Sequence, residues 1–106
     1  MREQIRANML KALAHPTRMK ILEMLREGEK CVCEMLPFLH LEQPNVSQHL
    51  AILRNSGIVE AEKRGPSVFY RLKNEKLAQI LALLDQIILE ELKESQKVLK
   101  ELRRVK

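Results

Sequence analysis

Four prolines and three glycines punctuate this 106-residue chain and leave few ways to fold it. Proline fixes φ and lacks an N–H, so it sits badly inside a helix but well at a helix's first position. Glycine takes positive φ at no steric cost and commonly closes a helix. His15-Pro16 therefore ends a first helix, residues 2 to about 14, and opens a second that runs to about Glu27, where Gly28 stops it. Pro44 opens a further helix that reaches about Asn55 and stops at Gly57. Arg64-Gly65-Pro66-Ser67 is turn chemistry. Pro37 falls within a short segment at roughly 32 to 40, which predicts a helix kinked or cut short there.

Hydrophobic spacing fills in the segments. Ile5, Met9, Leu10 and Leu13 mark an amphipathic first helix, and Ile21, Leu22 and Leu25 give the second its buried stripe. Leu36 and Leu39 are the expected buried positions of the third, and Val46, Leu50 and Leu53 those of the fourth. The texture then changes to IVEAEKRGPSVFYRL, alternating and rich in β-branched and aromatic residues, which reads as two short strands around a turn. Asn74 caps a last helix running from Glu75 towards Lys106. With two Phe, one Tyr and no Trp, the core is aliphatic, which suits helices. The order predicts a mainly α chain with a small β-hairpin. It is a single winged helix-turn-helix domain over residues 1–106, with 1–14 and 75–106 as added dimerisation helices.

Nineteen Lys and Arg against fourteen acidic residues give a net charge of +5 and a pI near 9.5, which favours a polyanionic partner. MREQIRANML has no apolar signal core and no run is long enough to span a bilayer. The expectation is a cytoplasmic protein without a membrane partner, its thiols reduced. The fourth helix, PNVSQHLAILRN, carries Asn45, Ser47 and Gln48 at its front, away from the core stripe. Asn and Gln pair with an adenine edge and Ser with base or phosphate, as the front of a major-groove helix requires. Two residues take either of two roles. His49 lies between the faces, suited to a DNA contact or a partly buried structural place, and Arg54 suits phosphate or solvent. Lys63 and Arg64 at the hairpin tip, with Arg71 on the returning strand, suit phosphate or the minor groove, against a solvated charged edge.

The last helix has more apolar circumference than one small domain covers. Leu77, Leu84, Val98 and Val105 follow one heptad line, and Leu81, Ile88 and Leu102 the next, with Ile80, Leu83, Ile87 and Leu89 flanking. A second copy's helix, helped by Ile5 and Met9 of the first, would cover it. A homodimer presents two reading helices, so a pseudo-palindromic duplex site is expected.

Cys31 and Cys33 are the only cysteines and stand one residue apart. In a helix, residues i and i+2 point about 200° apart; in extended chain they share a face. Both sulfurs can therefore grip one soft ion if the start of the third helix is loosened, which would shift the reading pair. Thiolates at a helix start ionise readily. A thiol-redox switch is the second reading, and two inert small residues the third. No nucleophile motif, oxyanion element or phosphate-cradling glycine loop accompanies Cys31, Cys33, His15, His40, His49 or Ser47, so the chain is not expected to be an enzyme. His15 before Pro16 and His40 at the end of a short helix are read as structural.

The chain resembles the ArsR/SmtB family of winged-helix, metal-responsive repressors. The resemblance rests on ALAHPTRMKILEMLREGEKCVCEML and QPNVSQHLAILRNSGIVEAEKRGPSVFYRL, with HPTR, CVCE, SQHL and the hairpin in that order. It implies a homodimeric repressor released from its operator by an inducer. In the arsenic-responsive branch the motif reads ELCVCDL, often with a third cysteine three residues on. Here Glu34 replaces the aspartate and Leu36 the third cysteine. The implied inducer at Cys31 and Cys33 is As(III), Sb(III) or a soft divalent metal, with no cofactor permanently bound. A small thiol, Glu34, His15 or a group from the second subunit would complete the site. The family's other zinc site, on the last helix, needs histidines; Asp85 and Glu90 are present but no histidine follows His49, so that site is set aside.

Overall fold

A computed structural model describes residues 1–104, so Val105 of the heptad line lies outside the described residues. The elements are α1 (Arg2–Leu13), α2 (Pro16–Arg26), β1 (Lys30–Cys31), α3 (Val32–Leu39), α4 (Gln43–Asn55), β2 (Val59–Arg64), β3 (Ser67–Leu72) and α5 (Lys76–Arg104). Helices dominate, and three antiparallel strands form one sheet in the order β1-β3-β2. The fold is a winged helix-turn-helix: α3 and α4 are joined by three residues, and the β2–β3 hairpin stands beside them.

Local chemistry sets the boundaries. His15 caps α2, its Nδ1 accepting the Thr17 N–H at 3.0 Å, and Pro16 fills the first helical position. Gly57, at φ 75°, closes α4: the Ile58 N–H reaches the Leu53 carbonyl at 2.9 Å and the Gly57 N–H that of Arg54 at 3.1 Å. That reversal turns the chain straight into β2 and delivers Ile58 and Val59 to the core. Gly65, at φ 59°, makes the hairpin turn, with Arg64 paired to Ser67. The Asn74 Oδ1 accepts the Lys76 N–H at 2.9 Å and starts α5.

The core is aliphatic as the composition requires: Ile21, Leu22, Leu25, Met35, Val46, Leu50, Leu53, Ile58 and Val59 are almost wholly buried. Within α3 the expected stripe shifts by one residue. Met35 is fully buried and Leu36 only partly so, while Leu39 is buried as expected. Met35 and Leu39 stand four residues apart on one helical face, and that face is the one α3 turns to the core. Pro37 supplies no N–H to the Cys33 carbonyl, and His40 closes the helix in the left-handed conformation at φ 53°.

Two features were not foreseen. The first is β1, which pairs Lys30 with Tyr70 and Cys31 with Phe69. The second is that Leu77 and Leu81, expected at a dimer surface, are each only 7% exposed within the chain's own core. The first turns of α5 pack on α2, and the apolar face left in solvent runs through Ile80, Leu83, Leu84, Ile87, Ile88, Leu89 and Leu92 to Val98, Leu99 and Leu102. The radius of gyration of 17.8 Å exceeds the roughly 13 Å of a compact domain this size because α5 projects. Among the described residues, no helix is long and apolar enough to cross a membrane.

Candidate functional site

Helix α4 buries Val46, Leu50 and Leu53 against the core, which turns Asn45, Ser47, Gln48, Ala51 and Arg54 to solvent. Three short polar side chains thus stand together at the front of an exposed helix. The small Ala51 beside them keeps that face low, so a groove floor can approach it closely.

His49 does not share that face. It is half-buried, its Nδ1 lies 3.2 Å from Arg18 Nη1, and its ring centroid is 4.4 Å from that of His15. The Arg18 Nε donates to the Ala12 carbonyl at 2.5 Å and Nη2 to that of Lys11 at 3.3 Å. One guanidinium therefore closes the end of α1 and holds the imidazole of α4. Since Nδ1 accepts in both histidines, a neutral ring carries its proton on Nε2. Arg18 was missed in the sequence, although it is the last residue of the HPTR stretch.

Burial, then the positive neighbours His15 and Arg18, hold the His49 imidazole below its ordinary range. The unfolded chain therefore takes up a proton at a higher pH than the folded chain does. Stability is intact above the ordinary histidine range and falls as pH drops through it towards the folded value. Thermal unfolding should show a lower Tm near pH 5 than near pH 7, and His49→Gln should flatten that slope. An unchanged slope in the variant would remove His49 from the account.

The hairpin cations are more engaged than the sequence suggested. Arg64 forms a two-pronged pair with Glu29, donates to Glu62 at 2.8 Å, and lies 4.9 Å over the Phe69 ring. Arg71 donates through Nε to Glu60 at 2.8 Å and reaches Glu62 at 3.2 Å and Glu29 at 3.5 Å. These pairs shift the groups in the expected sense. Hydrogen bonds donated to Glu62 and then to Glu29 raise Arg64 further, Glu60 raises Arg71, and Arg64 lowers Glu62. Their net stabilisation is small, because the side chains are largely solvated. Lys63 is exposed, as a phosphate contact requires. Glu29 is the second residue that sequence reasoning missed; it precedes Cys31 by two and ties the segment before the cysteines to the hairpin.

Cys31 ends β1 in extended conformation, at φ −86° and ψ 165°, and is the N-cap of α3. Its sulfur accepts the Glu34 backbone N–H, while the Glu34 carboxylate accepts the Cys31 N–H at 3.1 Å. Cys33 is the second residue of the helix. Because one partner is extended and the other helical, the sulfurs converge, and the two are joined as a disulfide with Cα atoms 5.3 Å apart. This corrects the expectation that α3 must loosen first: the pair meets with the helix intact from Val32. Glu34 is committed to the cap and His15 to α2, so neither stands as a ready third ligand. Among the described residues, no three His, Cys, Asp or Glu side chains gather into a metal-holding group.

The pair opens on a cleft of about 270 Å³ whose walls include Leu36 of α3, Gln43 and Ser47 of α4, and Pro66, Ser67 and Tyr70 of the hairpin. The sulfurs, the front of α4 and the hairpin thus share one space.

Residues 15–61 match the family described as bacterial regulatory protein, arsR family. The chain is similar to the HTH-type transcriptional repressor SmtB of Mycobacterium tuberculosis, at 48% identity over 73 residues covering 69% of this chain. It spans only about half of that relative's length, 54%. The crystal structure of Rv0081 from M. tuberculosis superposes with a TM-score of 0.82 at 34% identity, covering 88% of this chain and 94% of that one. Mb0332 of Mycobacterium bovis, described as a homodimeric winged helix-turn-helix DNA-binding domain, aligns with a TM-score of 0.78 at 31% identity, covering 86% and 84%.

Proposed function

The chain belongs to the arsR family of bacterial regulatory proteins, and on that premise we propose that it is a homodimeric, sequence-specific transcriptional repressor whose grip on operator DNA is set by the state of Cys31 and Cys33. The observation that carries this reading is the shared cleft. A change at the sulfurs is a change in the wall against which Gln43 and Ser47 of α4 and Ser67 of the hairpin are placed. Asn45, Ser47 and Gln48 read bases, while Arg54, Lys63 and, once released, Arg64 hold phosphates.

The joined sulfurs favour a thiol-redox inducer, the dithiol binding DNA and the disulfide leaving it. The same convergence also supports capture of a thiophilic metalloid such as As(III), with the remaining ligand supplied by a small thiol or the second subunit. The resemblance drawn from the sequence argues for that second inducer. Operator titrations separate them. Reduced wild-type protein should be released by diamide, and the Cys31→Ser/Cys33→Ser variant should bind as tightly and ignore it. Release of reduced protein by arsenite, with no response to diamide, would establish the metalloid reading instead. A double variant that still responds to both sinks the cysteine switch.

Two further observations support the assembly and the DNA contact. Met9 and Ile80 line one open recess, so the exposed apolar faces of α1 and α5 are continuous and form a surface for a second copy. Glu29 occupies Arg64 as a phosphate would. Glu29→Gln should therefore tighten operator binding and steepen its salt dependence by about one unit of log–log slope. In an Arg64→Ala background the effect should vanish; if it persists, Glu29 acts through its charge alone.

A further inference from the structure

The two sulfurs of the pair are not equivalent. Cys31 is 4% exposed, sits at the end of a paired strand and already accepts the Glu34 N–H. Cys33 is exposed and borders the cleft. We infer that Cys33 is the attacking thiol and Cys31 the resolving one, and that the cleft admits a small, polar, low-molecular-weight disulfide as their oxidant. This rests on the thiol-redox reading above and adds the order of events and the class of oxidant.

Exposure decides the order. A bulky disulfide needs in-line access to the attacking sulfur, which the solvent-facing side chain of Cys33 has and the buried Cys31 lacks. The cleft decides the class. Its volume of about 270 Å³ far exceeds what hydrogen peroxide, little larger than water, would need. Its rim offers the Gln43 amide, the Ser47 and Ser67 hydroxyls and Tyr70, groups that suit an amino-acid or peptide-like carrier.

The chemistry balances in two exchanges. The Cys33 thiolate attacks one sulfur of RS–SR; a Cys33–SR bond forms, the RS–SR bond breaks, and RS⁻ leaves to take the proton Cys33 gave up. The Cys31 thiolate, its charge steadied by the Glu34 N–H, then attacks the Cys33 sulfur. The Cys31–Cys33 bond forms, the Cys33–SR bond breaks, and the second RS⁻ leaves with the proton from Cys31. Two electrons pass from the protein to the small disulfide, which departs as two thiols.

The test uses the reduced full chain, oxidised glutathione and mass spectrometry. Serine is itself a good N-cap, so Cys31→Ser keeps the start of α3; Cys31→Ala, checked for helical content, serves as a second variant. Both should accumulate a stable glutathione adduct on Cys33. Wild type should pass through the adduct to the internal disulfide, and Cys33→Ser should be modified about tenfold more slowly or less. Equal rates for the two single-serine variants overturn the order. Faster oxidation of wild type by hydrogen peroxide at equal concentration overturns the class of oxidant. Failure of the parent reading looks different: the diamide-made disulfide would bind operator as well as the dithiol does, whatever the adduct kinetics.

Discussion

Ile88→Asp is expected to leave a folded monomer that scarcely binds an operator. Ile88 is 54% exposed in the single chain, so its loss removes little from the domain's own core. In the proposed dimer it lies at the middle of an apolar face, and a carboxylate there would be buried opposite its own symmetry copy without a partner. Two linked reading helices gain about 10²- to 10⁴-fold over one, because the second half-site is engaged at high local concentration. Sedimentation should show the shift to monomer, circular dichroism should show retained helix, and gel shifts should show the loss. A variant that stays dimeric would move the interface away from the middle of α5.

The second large effect is expected at Gln48. Its side chain is exposed near the front of α4, and a two-pronged amide contact to an adenine contributes about 1–3 kcal/mol of discrimination. Gln48→Ala should weaken operator binding by roughly ten- to a hundredfold while leaving non-specific binding almost unchanged. Lys63→Ala supplies the contrast: a phosphate contact should weaken all sequences alike and flatten the salt dependence by about one unit. If Gln48→Ala lowers both kinds of binding equally, it is not a base reader.

How much of this was legible in the sequence depends on the range of the interactions involved. The bounds of α2 and α4 and their buried stripes follow from prolines, glycines and period-3.6 spacing, all local signals, and the structure keeps them. Strand β1 has two residues, too few for any periodicity, and exists only because β3 lies beside it. Met35 replaces Leu36 in the core because either residue shares a helical face with Leu39, and only the packing of α3 on its neighbours decides between them. Leu77 and Leu81 read like the rest of the α5 seam; only their packing within the chain's own core separates them from Leu84 and Ile88. The Arg18 and Glu29 contacts span 31 and 35 residues, and no spacing rule anticipates them. The cysteine geometry was half legible. The rule that i and i+2 diverge in a helix is sound, but a boundary between extended and helical chain falls between the two residues.

That boundary strand also has a consequence for how the molecule breathes. Its ladder to β3 has only two rungs, at Lys30–Tyr70 and Cys31–Phe69, whereas the hairpin has six. The shorter seam should part first in sub-global opening, so amide deuterium uptake over residues 30–31 should outpace that over the hairpin strands. Each such parting briefly uncovers the otherwise shielded Cys31 sulfur, whereas the resolving exchange, which needs the two sulfurs together, belongs to the closed seam.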